Sequence, residues 1–129
     1  MVHDQHNKKR MVFILELNQR LELLLESGQI SSVTKKSMMG IIEMFQNKLG
    51  IRLTEENGAM FITHLSIACE RLNKDEKIEP IEESIYCEVR NNHNYNKSEA
   101  VFQEIEKELD VKFSECEKMF IILHLCGIL

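Results

Sequence analysis

The sequence predicts an all-α fold: a compact helical bundle of five to six helices built from two pseudo-repeated helical hairpins. Three observations carry this. Apolar residues recur at three- and four-residue steps along most of the chain, the period of amphipathic helices. The 129 residues include one proline, five glycines and no tryptophan, with few valines and much methionine, leucine, isoleucine, glutamate and lysine. That composition suits helices better than strands. Finally, two stretches sixty residues apart align without a gap. The length is that of one domain with a real core, assigned to residues 11–129 behind a polar N-terminal tail at residues 1–10.

The first helix is expected from about Lys8 to Glu26, with Ile14, Leu17, Leu21, Leu24 and Leu25 on one face and Ser27-Gly28 as its stop. A second follows Ser31 and Ser32, carrying Met38, Ile41, Ile42, Phe45 and Leu49, and ends at Gly50. Thr54 caps a third, with Glu55 and Glu56 in the first turn, where the helix dipole favours anions. It runs to about Leu72. Residues 73–79 read as a loop, and Pro80, whose missing N–H costs nothing there, opens a fourth helix. Asn91–Asn96 is a break. Ser98 is placed as the cap of a fifth helix bearing Val101, Phe102, Ile105 and Leu109. Ser114 and Glu117 have the S-x-x-E form of a capping box and launch the last helix through His124.

The repeat is detailed. Ile41-Ile42-x-x-Phe45 faces Val101-Phe102-x-x-Ile105, and Leu49–Glu55 faces Leu109–Glu115. Met60-Phe61-Ile62 faces Phe120-Ile121-Ile122, and His64-Leu65 faces His124-Leu125. Each copy is a helix, an apolar-basic-apolar connector, a hydroxyl cap followed by glutamate, and a histidine ten residues past the cap. Two copies do not make a solenoid. They do place the two histidine helices in equivalent positions of a pseudo-symmetric bundle.

A net charge of −5 argues against direct nucleic-acid binding, which needs a basic face. Lys8-Lys9-Arg10 is the basic cluster and reads as a solvated first turn. Glu16 interrupts the apolar run 11–15, so no segment spans a membrane. With no signal sequence, the chain is expected in the cytoplasm and Cys69, Cys87, Cys116 and Cys126 as reduced thiols. No CxxC pair is present, and His124 and Cys126 point apart on a helix, so no metal site is expected. Nucleophile-base motifs and phosphate-cradling glycine loops are absent too, which argues against an enzyme and against a cofactor. His3, His6 and His93 read as exposed and idle, Glu115 and Glu117 as capping and dipole residues, and the acidic runs 79–83 and 104–110 as solvated helix faces.

A lone histidine in an apolar helix is usually a hydrogen-bonded core residue. His64 and His124, however, persist between two copies in which most other polar positions have changed. On the third helix Gly58, Phe61, Ile62, Leu65, Ala68, Cys69 and Leu72 form the apolar face, with His64 at its border. Arg71, seven residues on, shares the flank of His64, near Met60 and Ile67. An accessible imidazole can accept a phosphoryl group, and a nearby arginine can steady that charge as a forked donor. The residues leave two readings open, a phosphorylated switch or a structural pair.

The segment ITHLSIACERL (62–72), with its histidine, following leucine and arginine seven later, resembles the first histidine motif of the PTS regulation domain (PRD). EKMFIILHL (117–125) resembles the second. The resemblance covers roughly residues 10–127. It implies a five-helix-type regulatory bundle of bacteria, commonly a homodimer, phosphorylated on histidine by the phosphocarrier protein HPr or by sugar-specific IIB components. In such domains phosphorylation is expected to shift dimer packing and so control an attached RNA- or DNA-binding module. By position, His64 and His124 would be the phosphoacceptors and Arg71 the matching arginine. The sequence departs from the family in holding one such domain without an output module, and in lacking an arginine seven residues past His124. Control of transcription or antitermination is therefore expected to be indirect, through a dimer interface or another regulator. The alternative is an unphosphorylated helical interaction module, with structural histidines and Met60 and Ile67 on a dimer surface. A metal protein or enzyme using His64, Cys69 and His124 has poor ligand spacing.

Overall fold

Six helices and no strand account for the regular structure of residues 17–129, the part of the chain described by a computed structural model. The all-α class expected from the sequence is what the chain adopts. The tail at residues 1–10, the basic run 8–10, His3, His6 and the start of the first helix lie outside the described residues. Helix α1 is seen as residues 17–26. It is followed by α2 (Ser32–Leu49), α3 (Glu55–Asn73), α4 (Glu83–Asn91), α5 (Tyr95–Leu109) and α6 (Glu115–Ile128). The described residues group into two compact units, one ending at Ser66 and one spanning Ile67–Leu129, so the division falls within α3.

In the first unit Leu17, Leu21, Met38, Ile41, Phe45, Phe61, Ile62 and Leu65 are buried at 0–1 % exposure. These are the positions that helical periodicity selects, and burial of such side chains stabilises by about 1.5–3 kcal/mol each. Phe45 of α2 and Phe61 of α3 pack as a tilted pair, with ring centroids 5.4 Å apart. Ion pairs Glu22–Lys35 and Arg20–Glu55 link α1 to the starts of α2 and α3. In the second unit α4, α5 and α6 pack on one another, α5 against α6 most extensively. Ile105, Met119, Ile122 and Leu125 are fully buried there. Phe102 and Phe113 meet at 6.1 Å between centroids.

The repeat predicted from the sequence extends to the backbone caps. Gly50 ends α2 at φ 67° and Asp110 ends α5 at φ 54°, both left-handed and sixty residues apart. Each is followed by an amide bonded back to the helix, Ile51 to the Phe45 carbonyl at 3.0 Å and Val111 to the Glu106 carbonyl at 3.1 Å. The hydroxyls of Thr54 and Ser114 then accept from the amides of Asn57 and Glu117. Gly50→Ala is expected to cost about 1 kcal/mol, because an added Cβ disfavours the left-handed conformation. Asp110→Ala should cost less, since that strain is already present. Urea titration of the two variants checks this, and equal losses would refute the cap argument.

Two helix starts differ from expectation. Helix α4 begins at Glu83, three residues after Pro80, with an extended Glu82 before it and no side-chain cap. The buried Val89, four residues past half-buried Ile85, sets the inner face of this helix, and exposed Pro80 lies ahead of it. Helix α5 begins at Tyr95, not after Ser98. An Asx turn, in which the Asn94 amide donates to the Asn92 side chain at 2.8 Å, starts the helix earlier. Ser98 is instead fully buried, and its hydroxyl points to the Cys126 sulfur at 3.5 Å. Leu72, expected on the apolar face of α3, is 36 % exposed at the end of that helix. The run 104–110 is not a purely solvated face: the Glu106 carboxylate accepts from the Phe113 amide at 2.9 Å.

Candidate functional site

Helix α3 presents His64 ten residues beyond its cap, and that cap is complete. Thr54 Oγ1 accepts from the Asn57 amide at 3.3 Å, while Asn57 Oδ1 accepts from the Thr54 amide at 2.7 Å. Phe61, Ile62 and Leu65 face the core. Successive residues turn by about 100°, which carries His64 out of that face, and the imidazole is exposed. Met60, one turn earlier, is 63 % exposed. Ile67, three residues on, is half-buried.

Helix α6 repeats the pattern. Ser114 Oγ accepts from the Glu117 amide at 3.2 Å, and His124 follows ten residues past the cap. Ile121, Ile122 and Leu125 are buried and His124 is half-buried, as are Phe120 and Ile128 four residues to either side. Leu123 is 40 % exposed. Leu65 and Leu125, the residues after each histidine, have no exposed surface at all. Each imidazole therefore sits on a helix anchored by the residue beside it.

Arg71 is already engaged. Its Nε donates to Glu117 Oε1 at 2.8 Å and its Nη2 faces Oε2 at 3.4 Å, a forked pair within the second unit. The Arg71 side chain is 30 % exposed and that of Glu117 10 %. Glu117 was expected to serve the α6 cap. Its amide does so, but its carboxylate is buried, and a buried anion needs a cation. The signal in the sequence is its place four residues before Ile121 and eight before Leu125, on the face that α6 buries. Arg71, Glu117, Lys77 and Ser114 help line a cavity of about 120 Å³, too small for a drug-sized ligand. A larger cavity of about 540 Å³ is lined by Arg20, Leu23, Leu24 and Glu55, and by none of the three candidate residues.

The thiol of Cys69 is pushed up to about 12 by burial, with the charges of Glu70 and Glu117 adding to it. It stays protonated at neutral pH, unsuited to metal binding or nucleophilic attack. Among the described residues no group of three or more His, Cys, Asp and Glu is placed to hold a metal ion, and no helix is long and apolar enough to cross a membrane. His93 is exposed in the turn before α5.

Comparison with known proteins bears on residues 39–127, which match the family model described as PRD domain. The chain is also 27 % identical over 109 residues to the uncharacterized protein YhfY of Escherichia coli (strain K12). That alignment covers 84 % of this chain and 91 % of YhfY. No solved structure matches the chain.

Proposed function

We propose, since this chain belongs to the PRD domain family, that it is a phosphotransferase-system-responsive regulatory domain whose phosphoacceptors are His64 and His124. The observation that carries this reading is the matched pair: each imidazole stands ten residues past a hydroxyl cap and directly before a fully buried leucine. His64 is exposed, as a side chain that must meet a donor protein needs to be.

The donor is HPr or a sugar-specific IIB component. From a phosphohistidine donor, an unprotonated ring nitrogen of the acceptor attacks phosphorus, and the donor's P–N bond breaks as the new P–N bond forms. The proton on the acceptor's second nitrogen passes through solvent to the imidazole that leaves. Each phosphoryl group adds about two negative charges and strong hydrogen-bond acceptors. Arg71, seven residues further along α3, supplies the forked donor that steadies such a charge. The output is indirect: transcription or antitermination responds through a homodimer or partner interface with another regulator. Moving such an interface from 1:99 to 99:1 takes about 5.5 kcal/mol of differential stabilisation, within reach of a desolvated dianion.

The test is incubation with enzyme I, HPr and phosphoenolpyruvate, and separately with a phosphorylated IIB component. An acid-labile label is expected on the wild type and none on the His64→Ala/His124→Ala double variant. No label from either donor, or a label that survives in the double variant, defeats the reading. The exposure of Met60 and Leu123 favours a second reading, an unphosphorylated dimerisation module with structural histidines. It predicts that the double variant keeps both self-association and regulatory function.

A further inference from the structure

We propose that the exposed face of α4 docks on the same face of a second copy of this chain, antiparallel, with Glu83 of each copy paired to Arg90 of the other across a two-fold axis. Two copies would meet there whether or not a histidine is phosphorylated, so the pairing goes beyond the phosphoacceptor reading and stands apart from it.

Helix α4 buries little of itself. Of its nine residues only Val89 is buried, while Glu83, Cys87 and Arg90 are exposed. At about 100° per residue these three fall within about 60° of one another, on one stripe turned away from Val89. The stripe is acidic at its start, where exposed Glu82 adds to Glu83, and basic at its end. Neither Glu83 nor Arg90 has an ion-pair partner among the described residues. A polar helix face is ordinarily a solvated one, and Arg90 is what sets this one apart. Its guanidinium lies 4.5 Å from the centre of the Tyr86 ring, and its Nη2 donates to the Tyr86 hydroxyl at 2.5 Å. Tyr95, the other tyrosine of the chain, also feels the charge of Arg90. Tyrosine and arginine are the residues that anchor protein interfaces. A guanidinium already fixed on a ring loses less freedom when a carboxylate arrives.

The charges select the occupant. An unrelated acidic partner would answer Arg90 but be repelled by Glu82 and Glu83. A second copy laid antiparallel answers both ends, and the two-fold axis makes the same contact twice. Arg90 leans toward the N-terminus of α4, as long helical side chains do, so its charge stands near the level of Tyr86 rather than at the helix end. The Glu83 carboxylate leans off the helix start in the same way. The position of the axis takes up this offset, and the opposite charges meet when it passes close to Ser84. With helix axes about 8–10 Å apart, the exposed thiol of Cys87 then lies beside the contact in both copies. A helix face about 14 Å long buries well under the ~800 Å² per partner of a stable complex. The pairing is therefore weak and reversible.

The test is sedimentation equilibrium of the full chain up to high micromolar concentration, with no phosphoryl donor present and with bismaleimidohexane crosslinking as a second readout. The parent chain is expected to dimerise, and less so as salt rises from about 0.05 to 0.5 M. Glu83→Lys and Arg90→Glu each change two contacts of the two-fold pair, and each should raise the dimer Kd by about tenfold or more. The double variant Glu83→Lys/Arg90→Glu restores complementarity with the signs exchanged, and should return to within about threefold of the parent. Crosslinking should follow the same order and vanish in Cys87→Ser, since Cys69 is buried and Cys116 and Cys126 are half-buried. The substitutions fall on exposed positions, so helical circular dichroism should match the parent. A parent chain that stays monomeric, a dimer indifferent to both single reversals, or a double variant no better than the singles overturns pairing through α4. With no donor present, none of these outcomes bears on His64 or His124.

Discussion

Phe45→Ala is expected to lower the unfolding free energy by about 3–5 kcal/mol, a large part of the roughly 5–15 kcal/mol that holds a domain of this size together. The side chain has no exposed surface, and its ring packs on Phe61 at 5.4 Å and 51°. Truncation removes the transfer energy of the ring, leaves a cavity between α2 and α3, and forfeits the aromatic pairing term of about 0.5–1.5 kcal/mol. Phe45→Leu keeps an apolar group in the same space and should lose much less. Urea unfolding followed by circular dichroism at 222 nm, the ordinary helical signal, reads both. A loss below about 1 kcal/mol for Phe45→Ala would mean that the two helices do not share this core.

The second large effect separates two adjacent residues. Leu65→Ala should cost about 2–5 kcal/mol, because Leu65 is fully buried and its removal opens a cavity. His64→Ala should cost less than about 1 kcal/mol, the usual ceiling for an exposed side chain and whatever surface contact it makes. A core histidine would give the opposite pattern. If His64→Ala destabilises as much as Leu65→Ala, the imidazole is structural and the switch loses its first acceptor. If the difference holds, loss of the phosphoryl label in His64→Ala cannot be attributed to unfolding.

Much of the fold was legible because helix signals are local. The hydroxyl caps of α2, α3 and α6 stand where Ser31, Thr54 and Ser114 place them. Gly50 was readable as a stop because a left-handed residue favours glycine. Asp110, which the repeat aligns with Gly50, occupies the same conformation with a side chain, and that was not legible because aspartate is no local stop signal. The errors fell where a local signal had a close competitor. Pro80 is compatible with a first helical turn but also with the non-helical segment it occupies before α4. Ser98 is a good cap in isolation, yet the asparagines upstream form a turn first and the hydroxyl ends up buried against Cys126.

For the candidate site, chain order alone determined the existence of a matched histidine pair, its spacing from the caps, and the place of Arg71 on the flank of His64. Those are consequences of the 3.6-residue period and of a repeat, and both are written in one dimension. Which histidine is exposed, and what Arg71 holds, were decided by tertiary structure. Arg71 and Glu117 are forty-six residues apart, and no periodicity relates them. Their pairing arises because folding buries a carboxylate beside the end of α3, and a carboxylate taken out of water must find a cation.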